Sequence, residues 1–406
     1  MLRRLFIVVL LVAGCALAYL RVVRRVVPHY GEVSTGSLWG AFHIHSQASH
    51  DCELALDEIV TAARTLGMGF VVVTDHDVQL AAPIEIQDVI VISAAELRTP
   101  FGHLIQLGAS DVLAKNLRGD LNIHDHVARL GGVSIIAHPT DTKRPWHGPI
   151  AGTGAIEIAN FASSARRRGG GIFLGLLPAM AIWRVRPDLA MAQIYDRDQG
   201  ALRRWDGESD PRLAGLCASD THGLIDLASN LAAWQIHLDD IGDEKRRDGH
   251  ETADGDAEPP PPSPRSADAI AARAAAIVRA IGDGRFYCAA GVAGPRPPFE
   301  FFAASTGETR LGSGGVALVE AVRELVVQGP GFSAGEATVV LLRNGEEVVR
   351  SRGSSLRYAR PTAGTYRAEI RIALPDVLFG ERQVPVIYSN RLRLLDPGSP
   401  GMAGVH

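Results

Sequence analysis

The stretch "SLWGAFHIHSQASHD", residues 37–51, places three histidines at the end of an apolar run. The run predicts a β-strand, and the histidines are His43, His45 and His50. Side chains two residues apart on a strand point to the same face, so His43 and His45 can share one site. A single histidine at such a position is usually a packed or surface residue. Three within eight positions indicate the edge of a metal site with further ligands elsewhere in the chain.

Similar strand-like runs alternate with helical patterns from residue 38 to about residue 240. The runs are "MGFVVVTDHD", "DVIVISAAELRT", "GHLIQLGA", "GGVSIIAHPTD", "TGAIEIAN" and "RLAGLCASDTHG". Several are continuous in Val and Ile, as expected for strands covered on both faces. Between the opening run and "MGFVVVTDHD", the segment "CELALDEIVTAARTLG" has apolar residues at helical spacing and ends at Gly67. This alternation predicts a parallel α/β barrel or sheet.

Histidines and carboxylates recur where these runs end, and α/β barrels place their active sites at the carboxyl ends of their strands. The nine candidate metal ligands are His43, His45, His50, His76, Glu96, His103, His138, Asp220 and His222. Each histidine alone would be read as packing, but the whole set predicts a site for several ions. Imidazole and carboxylate ligands without thiolates suit Zn, Mn or Fe. We expect Glu96 and Asp220 to be the catalytic carboxylates.

The ordered motifs HxH, TDH, Glu before GH, AHP and DxH resemble the PHP family (polymerase and histidinol phosphatase domain) over residues 38–292. The resemblance implies a distorted (β/α)7 barrel with two or three divalent metal ions. It also implies a division of the ligands among the ions. His43, His45, Glu96 and Asp220 would hold the first ion, Glu96, His103 and His138 the second, and His50, His76 and His222 the third.

Two ions about 3.5 to 4 Å apart yield a hydroxide near neutral pH and clamp the oxygens of a displacement at phosphorus. The leading expectation is therefore a phosphoesterase acting on a phosphomonoester or phosphodiester. Its partner would be a phosphorylated small molecule, a nucleotide or an oligonucleotide. A 5′–3′ exonuclease, a nucleotide phosphatase and a carboxyl or carbamate ester hydrolase are alternatives on the same site. A metal-stabilised binding or sensing protein is the alternative that is not an enzyme.

Other polar residues near these motifs carry weaker signals. Asp51 either supports the neighbouring ligands or lies on an exposed loop. Lys143, Arg144 and His147 follow the AHP motif on a loop that either holds a substrate phosphate or is simply solvated. His124, on a predicted helix away from the strand ends, is expected to be a packing or surface residue.

The N-terminus carries an uncharged run from Leu5 to Leu20 between arginines. It predicts that residues 1–27 are an uncleaved anchor that makes the protein single-pass and contacts the membrane, with the catalytic part extracytoplasmic. A cleaved signal and a lipoprotein site ending at Cys15 are the alternatives. The four cysteines are scattered and indicate neither a disulfide framework nor a thiolate site. No obligate protein partner is evident, and a net charge of −4 gives no global footprint for a polyanion.

The remaining chain divides by composition. Residues 28–292 would form the barrel, within which residues 243–268 are charged, rich in proline and predicted to be a disordered insertion. Residues 293–398 contain short β-rich runs separated by Gly, Pro or Asn, including an Asn344–Gly345 hairpin signal. They predict a small antiparallel β-sandwich similar to the C-terminal domain of membrane-associated PHP proteins. Residues 166–183 would be either a lid or interfacial helix or a helix packed on the barrel.

Overall fold

Mixed α/β structure fills the N-terminal three quarters of the computed structural model, and strands dominate the remainder. The structure describes residues 14, 16–30, 38–80, 82–169, 176–210, 212–223, 226–238, 265–294, 296–305, 309–332, 336–376 and 380–398.

The N-terminal part contains eleven strands among the described residues. They are β1 (Trp39–Ile44), β2 (Phe70–Val73), β3 (Ile84–Ile86), β4 (Val89–Ser93), β5 (Ala95–Thr99), β6 (Gly102–Leu107), β7 (Val133–Ile136), β8 (Ala155–Asn160), β9 (Ala214–Ala218), β10 (Trp234–Leu238) and β11 (Phe286–Ala290). Every residue of β1, β2 and β8 to β11 is buried, so these strands are covered on both faces. The Val/Ile-rich run of β2 predicts this, whereas β10 lies outside the predicted runs.

The helices lie between these strands. They are α1 (Leu56–Thr65), α2 (Ile123–Arg129), α3 (Phe161–Gly169), α4 (Leu177–Ile182), α5 (Pro187–Ile194), α6 (Gln199–Gly207), α7 (Leu227–Leu231) and α8 (Ala267–Gly282). Helix α1 confirms the amphipathic pattern, because Ile59, Val60 and Ala63 are its buried residues. The Glu58 carboxylate accepts a hydrogen bond from the backbone of Ala55 at 2.8 Å, which satisfies a donor at the helix start.

Strand pairing forms two sheets here instead of one continuous sheet. One contains β11-β10-β1-β2-β4-β3, and the other contains β5-β6-β7-β8-β9. Isolated bridges between Ile44 and Thr221 and between His76 and Glu96 join them near the predicted ligands. The α/β class is therefore present, while a closed seven-stranded barrel stays a prediction.

The expectation of uniformly parallel strands is wrong for part of the second sheet. The run "DVIVISAAELRT" divides into β4 and β5, which belong to different sheets. Strand β5 then pairs antiparallel with β6, with Thr99 opposite Gly102. Only Pro100 and Phe101 lie between these positions, and a two-residue connection is far too short for a parallel crossover.

The C-terminal part consists of strands β12 (Glu300–Ser305), β13 (Arg310–Gly312), β14 (Val316–Leu318), β15 (Val322–Gln328), β16 (Ala337–Arg343), β17 (Glu346–Arg352), β18 (Ser355–Ala359), β19 (Gly364–Asp376), β20 (Gly380–Ser389) and β21 (Leu392–Leu395). Strands β13-β12-β15-β18 form an antiparallel sheet. Asn344 and Gly345 have φ of 52° and 82° between β16 and β17, which confirms the hairpin signal.

The other C-terminal strands extend the first N-terminal sheet, because β20 pairs antiparallel with β11. One pair, β14 with β21, is parallel, so the expected antiparallel pattern holds with that exception. Strands on either side of the predicted division at residue 292 therefore belong to one twelve-stranded sheet. The predicted domain boundaries at residues 27 and 292 stay predictions.

A cluster of buried charges joins α6 to β19. Arg367 donates to both oxygens of Asp206 at 2.8 and 2.7 Å and to Glu369 at 2.6 Å. Arg197 adds a second cation to Glu369 at 3.1 Å. The Arg367 guanidinium also lies 5.3 Å from the ring centroid of Trp205. We call Asp206, Arg197, Arg367 and Glu369 the junction cluster.

The predicted single-pass membrane localisation is contradicted. Residues 1–13 and 15 lie outside the described residues, and residues 16–23 are helical. Over the part of the chain that the structure describes, no helix has the length and apolar character needed to cross a membrane. The anchor, signal and lipoprotein predictions for residues 1–13 and Cys15 fall outside the described residues.

Two further predictions fall partly outside the described residues. In the predicted insertion, residues 243–264 are not described, whereas Ser266 caps helix α8 by accepting a hydrogen bond from the backbone of Ala269 at 3.2 Å. Residues 266–268 of the predicted insertion thus lie at the start of helix α8, and the insertion itself stays a prediction. In the segment 166–183, residues 170–175 are not described, and α3 and α4 lie on either side of them.

Candidate metal centre

Eight of the nine predicted ligands gather at the ends of the central strands. They are His43, His45, His76, Glu96, His103, His138, Asp220 and His222, each with a ring or carboxylate contact to at least one other member. The ninth, His50, is exposed, and its ring centroid lies 5.1 Å from that of His76.

Unusual backbone conformations turn three of these side chains toward one another. His43, His138 and Asp220 have φ of 64°, 27° and 54°, in the left-handed region that residues other than glycine rarely adopt. The pairing of β1 with β2 shifts register between Phe42 and Ile44, so His43 sits in a bulge. His43 and His45 do lie together, with ring centroids 5.2 Å apart, but across a bulge and not on a regular pleat.

The centre of the cluster is the buried carboxylate of Glu96, whose two oxygens face different histidines. Its Oε2 lies 3.4 Å from His43 Nε2 and 3.3 Å from both His45 Nε2 and His76 Nδ1. Its Oε1 lies 2.9 Å from His103 Nδ1 and 3.0 Å from His138 Nε2. A carboxylate placed between two sets of imidazoles has the arrangement of a ligand that bridges two ions.

The spacing of the donor atoms fits a metal ion. Four ligands placed tetrahedrally about 2.1 Å from an ion lie roughly 3.4 Å from one another. Asp220 Oδ1 lies 3.6 Å from His43 Nε2 and 3.8 Å from His45 Nε2, and Glu96 Oε2 lies 3.4 and 3.3 Å from the same two nitrogens. These two nitrogens are buried and have no hydrogen-bond partner among the described residues. The donor set therefore suits a divalent cation.

A third group of candidate ligands lies beside the two groups around Glu96. Its carboxylate is Asp51. Asp51 Oδ2 lies 3.3 Å from His76 Nε2 and 3.4 Å from His222 Nε2, and the three residues can be grouped with His45. Sequence reasoning left Asp51 undecided between this position and an exposed loop. The assignment of His50 to the same ion stays a prediction.

Electrostatic coupling inside the cluster is strong. Burial lowers the pKa of His43, but the nearby Glu157, Glu96 and Asp220 together raise it well above its ordinary value. Burial raises the pKa of Glu96, but His43 and the hydrogen bonds from His103 and His138 together hold it well below its ordinary value. A cation bound here would therefore compete with protons on the imidazoles.

His76 differs from His43 in its balance of forces. Burial lowers the pKa of His76 to about 4, and the attraction of Glu96 does not offset this. The neutral imidazole, which is the form that binds metal, is thus the favoured state of His76 at neutral pH.

Sequence reasoning missed a layer of residues behind the ligands. Glu157 on β8 accepts a hydrogen bond from His43 Nδ1 at 2.6 Å, and Arg166 on α3 donates to Asp220 Oδ2 at 3.1 Å. The signal for Glu157 was a lone carboxylate within the buried run "TGAIEIAN". The sequence shows Arg166 only as the first of three consecutive arginines, with no signal for a contact to a ligand.

Basic residues lie on the loop that follows His138. The Asp141 carboxylate accepts hydrogen bonds from the backbone N–H groups of Lys143 and Arg144 at 2.8 and 3.1 Å, and both side chains are exposed. His124 is a buried packing residue as expected, because its ring nitrogens contact Ser134 Oγ and the Pro149 carbonyl at 3.0 Å each.

Comparisons with known proteins give limited information. No family model matches the chain, and no curated protein matches it. One similar solved structure is a two-domain protein from Bacteroides vulgatus containing a predicted PHP-like metal-dependent phosphoesterase. It is 11% identical with a TM-score of 0.38, and the likeness covers 89% of this chain and 97% of that one. A likeness this remote carries no argument about the reaction.

Proposed function

We propose that the protein is a metal-dependent phosphoesterase that hydrolyses a phosphomonoester or phosphodiester. The position of Glu96 carries the proposal, since one buried carboxylate faces five histidines with its two oxygens. When bound, two divalent ions would activate water and stabilise the charge that develops at phosphorus.

The ligands are divided by the carboxylates that they face, and His76 is placed with the third ion because its Nε2 also faces Asp51 at 3.3 Å. His43, His45 and Asp220 would hold one ion with Glu96 Oε2. His103 and His138 would hold a second ion with Oε1. A third ion would lie near His76 and His222, with Asp51 or His50 completing its ligands. The PHP resemblance and its distorted seven-stranded barrel are consistent with this division.

Two exposed cations on the loop after His138 support an anionic substrate. Lys143 and Arg144 follow His138 by five and six residues in the chain. Their backbone is fixed by Asp141, so the two cations are presented from a defined turn. A track of aromatic and basic residues for a single strand would favour a nuclease. The sequence shows little sign of one, so we favour a small phosphate ester over an oligonucleotide.

A substrate panel on the full-length chain tests the proposal. After loading with Mn, Zn or Fe, elemental analysis should find two to three ions per chain. The protein should then hydrolyse para-nitrophenyl phosphate or bis-para-nitrophenyl phosphate, and a chelator should abolish the activity.

Three results would count against the proposal. A folded chain that holds one ion or none would contradict the multi-metal site. Hydrolysis of para-nitrophenyl acetate alone would favour a carboxyl ester hydrolase. Full metal content without hydrolysis of any ester would favour a binding or sensing protein.

A further inference from the structure

Four polar side chains on β8 and α3 connect two of the candidate ligands. Glu157, Asn160, Ser163 and Arg166 are spaced three residues apart, across the point where the strand becomes the helix. We call these four residues the β8–α3 network. None of them was predicted as a ligand, and none has a side chain in the candidate metal groups found among the described residues.

The first end of the network is built on Glu157. Its Oε1 accepts the proton of His43 Nδ1 at 2.6 Å. Its Oε2 accepts from the backbone N–H of His138 at 2.7 Å and from Asn160 Nδ2 at 2.8 Å. Glu157 is 1% exposed, so water does not compete for these bonds. One carboxylate thus fixes a ligand ring from β1 and the backbone of a ligand at the end of β7.

The second end is built on Arg166. Asn160 Oδ1 accepts from the backbone of Ser163 at 2.9 Å, and Ser163 Oγ donates to Asp141 at 2.9 Å. Arg166 Nε donates to the same Asp141 oxygen at 2.6 Å, and its Nη2 donates to Asp220 Oδ2 at 3.1 Å. The network therefore runs from His43 to Asp220 without a break.

We propose that the β8–α3 network is a positioning device that sets the affinity of the ion held by His43 and Asp220. The proposal rests on the proposed metal site. In its neutral form, a His43 imidazole that donates its Nδ1–H hydrogen bond to Glu157 presents the Nε2 lone pair to a cation, and a carboxylate partner makes that nitrogen more basic. Arg166 occupies Oδ2 of Asp220, which leaves Oδ1 to face His43 and His45 at 3.6 and 3.8 Å.

The β8–α3 network should act on the first ion alone, because its side chains bond to the side chains of two ligands of that ion. Its side-chain bonds to ligands reach His43 and Asp220, both assigned to the first ion. Toward His138 it reaches only the backbone. Among the described residues, no bond from these four side chains reaches His76, His103 or His222. Loss of the network should therefore weaken one ion and leave the others nearly unchanged.

Titration of the full-length, metal-free chain with cobalt(II) tests this inference, because the visible absorption of cobalt reports its ligand geometry. In Glu157→Ala, one ion should bind about 10- to 100-fold more weakly than in the parent, with an altered spectrum. Glu157→Gln should lose less, because an amide oxygen still accepts the hydrogen bond from His43 Nδ1, although its NH2 group no longer accepts from His138 and Asn160. Glu369→Gln, at an equally buried carboxylate outside the centre, should bind cobalt as the parent does.

The possible failures can be told apart. If the parent binds no cobalt, the proposed function itself fails. If the parent binds cobalt and a folded Glu157→Ala chain matches it in affinity and spectrum, only the positioning role is overturned. If Glu157→Ala does not fold, Arg166→Lys tests the other end of the network, where the side chain is one-third exposed. An unchanged cobalt titration in that variant would equally overturn the proposal.

Discussion

The metal centre and the junction cluster are both buried and both built on carboxylates, yet they differ in their cations. Glu369 in the junction cluster is neutralised by Arg367 and Arg197, whose guanidinium groups are always charged. Glu96 in the metal centre is surrounded by five imidazoles, which can be neutral. The junction cluster supplies its own counter-charge, whereas the metal centre becomes neutral by taking up protons or metal ions.

The unpaired atoms show the same difference. In the metal centre, the buried nitrogens without a hydrogen-bond partner among the described residues include His43 Nε2, His45 Nε2 and His76 Nδ1. In the junction cluster, Arg367 uses three nitrogens on two carboxylates, while Arg197 Nε has no hydrogen-bond partner among the described residues. A buried charge network whose carboxylates are already paired with guanidinium groups acts as structure. A buried cluster in which several unpaired imidazole nitrogens face one another is suited to binding a metal ion.

The largest expected effect comes from breaking the junction cluster. Arg367→Met removes the buried cation shared by Asp206 and the fully buried Glu369, which should lower the free energy of unfolding by about 3 to 5 kcal/mol. Denaturant unfolding of the full chain measures this loss. The remaining folded protein should keep its full metal content.

A surface pair provides the control for that variant. Arg350 binds Glu347 on the exposed strand β17, so Arg350→Met should leave the unfolding midpoint at the parent's value. If Arg367→Met were equally silent, the junction cluster would not be a stabilising element.

The next effect is at Glu96. Glu96→Gln keeps the shape of the side chain but removes the negative charge shared by two ions, and we expect turnover to fall by at least about 10²-fold. The fold should be affected less. Assays with bis-para-nitrophenyl phosphate and a phosphomonoester at saturating Mn or Zn measure the loss.

His124→Ala is the matched control, because that buried histidine contacts Ser134 and Pro149 and no candidate ligand. Its rate should stay within roughly a few-fold of the parent. Parental turnover by Glu96→Gln on both substrates would remove the two-metal interpretation.

The smallest expected effect is a difference in pH dependence between the candidate metal centre and the junction cluster. Between pH 7 and 5 protons compete with metal for imidazoles, so the apparent metal affinity should fall as the pH falls. Burial raises the pKa of Glu369, but Arg367, Arg197 and Arg371 outweigh this and lower it to about 2. A lowered pKa gives stability that is fully present above the unfolded value near 4.3 and is lost progressively as the pH falls from there through about 2. The contribution of the junction cluster should therefore not change over this range.

Chelator competition at pH 7 and pH 5, with far-ultraviolet circular dichroism on the same samples, checks this contrast. Metal release with an unchanged spectrum is expected. Unfolding that accompanies release at pH 5 would show that the two regions are not independent.

Much of the site was predictable because ligands at strand ends form short, recognisable motifs. His43, Glu96 and Asp220 each follow an apolar run, and the structure brings them together. Glu157 was missed because one carboxylate inside a buried strand carries no periodic signal. Its partners His43 and Asn160 lie 114 and 3 residues away, and only folding brings the first within reach.

The fold was predictable as local elements and less so as pairings. Helix α1 and the Asn344–Gly345 hairpin follow from spacing and turn residues. The division of residues 89–99 between two sheets does not, because β4 and β5 follow one another within a single run and periodicity does not specify a strand's partner. Strand β10 was missed, since Gln235 and His237 interrupt its apolar pattern although both are buried.

The left-handed backbone at His43, His138 and Asp220 has a consequence for how this chain can change over time. A residue other than glycine held in that conformation costs on the order of 1 kcal/mol or more. Selection for heat resistance alone would favour glycine or asparagine at these three positions. Under the proposed function, histidine and aspartate there exchange stability for the ability to bind metal, and a lineage that lost the metal site would be expected to replace these residues early.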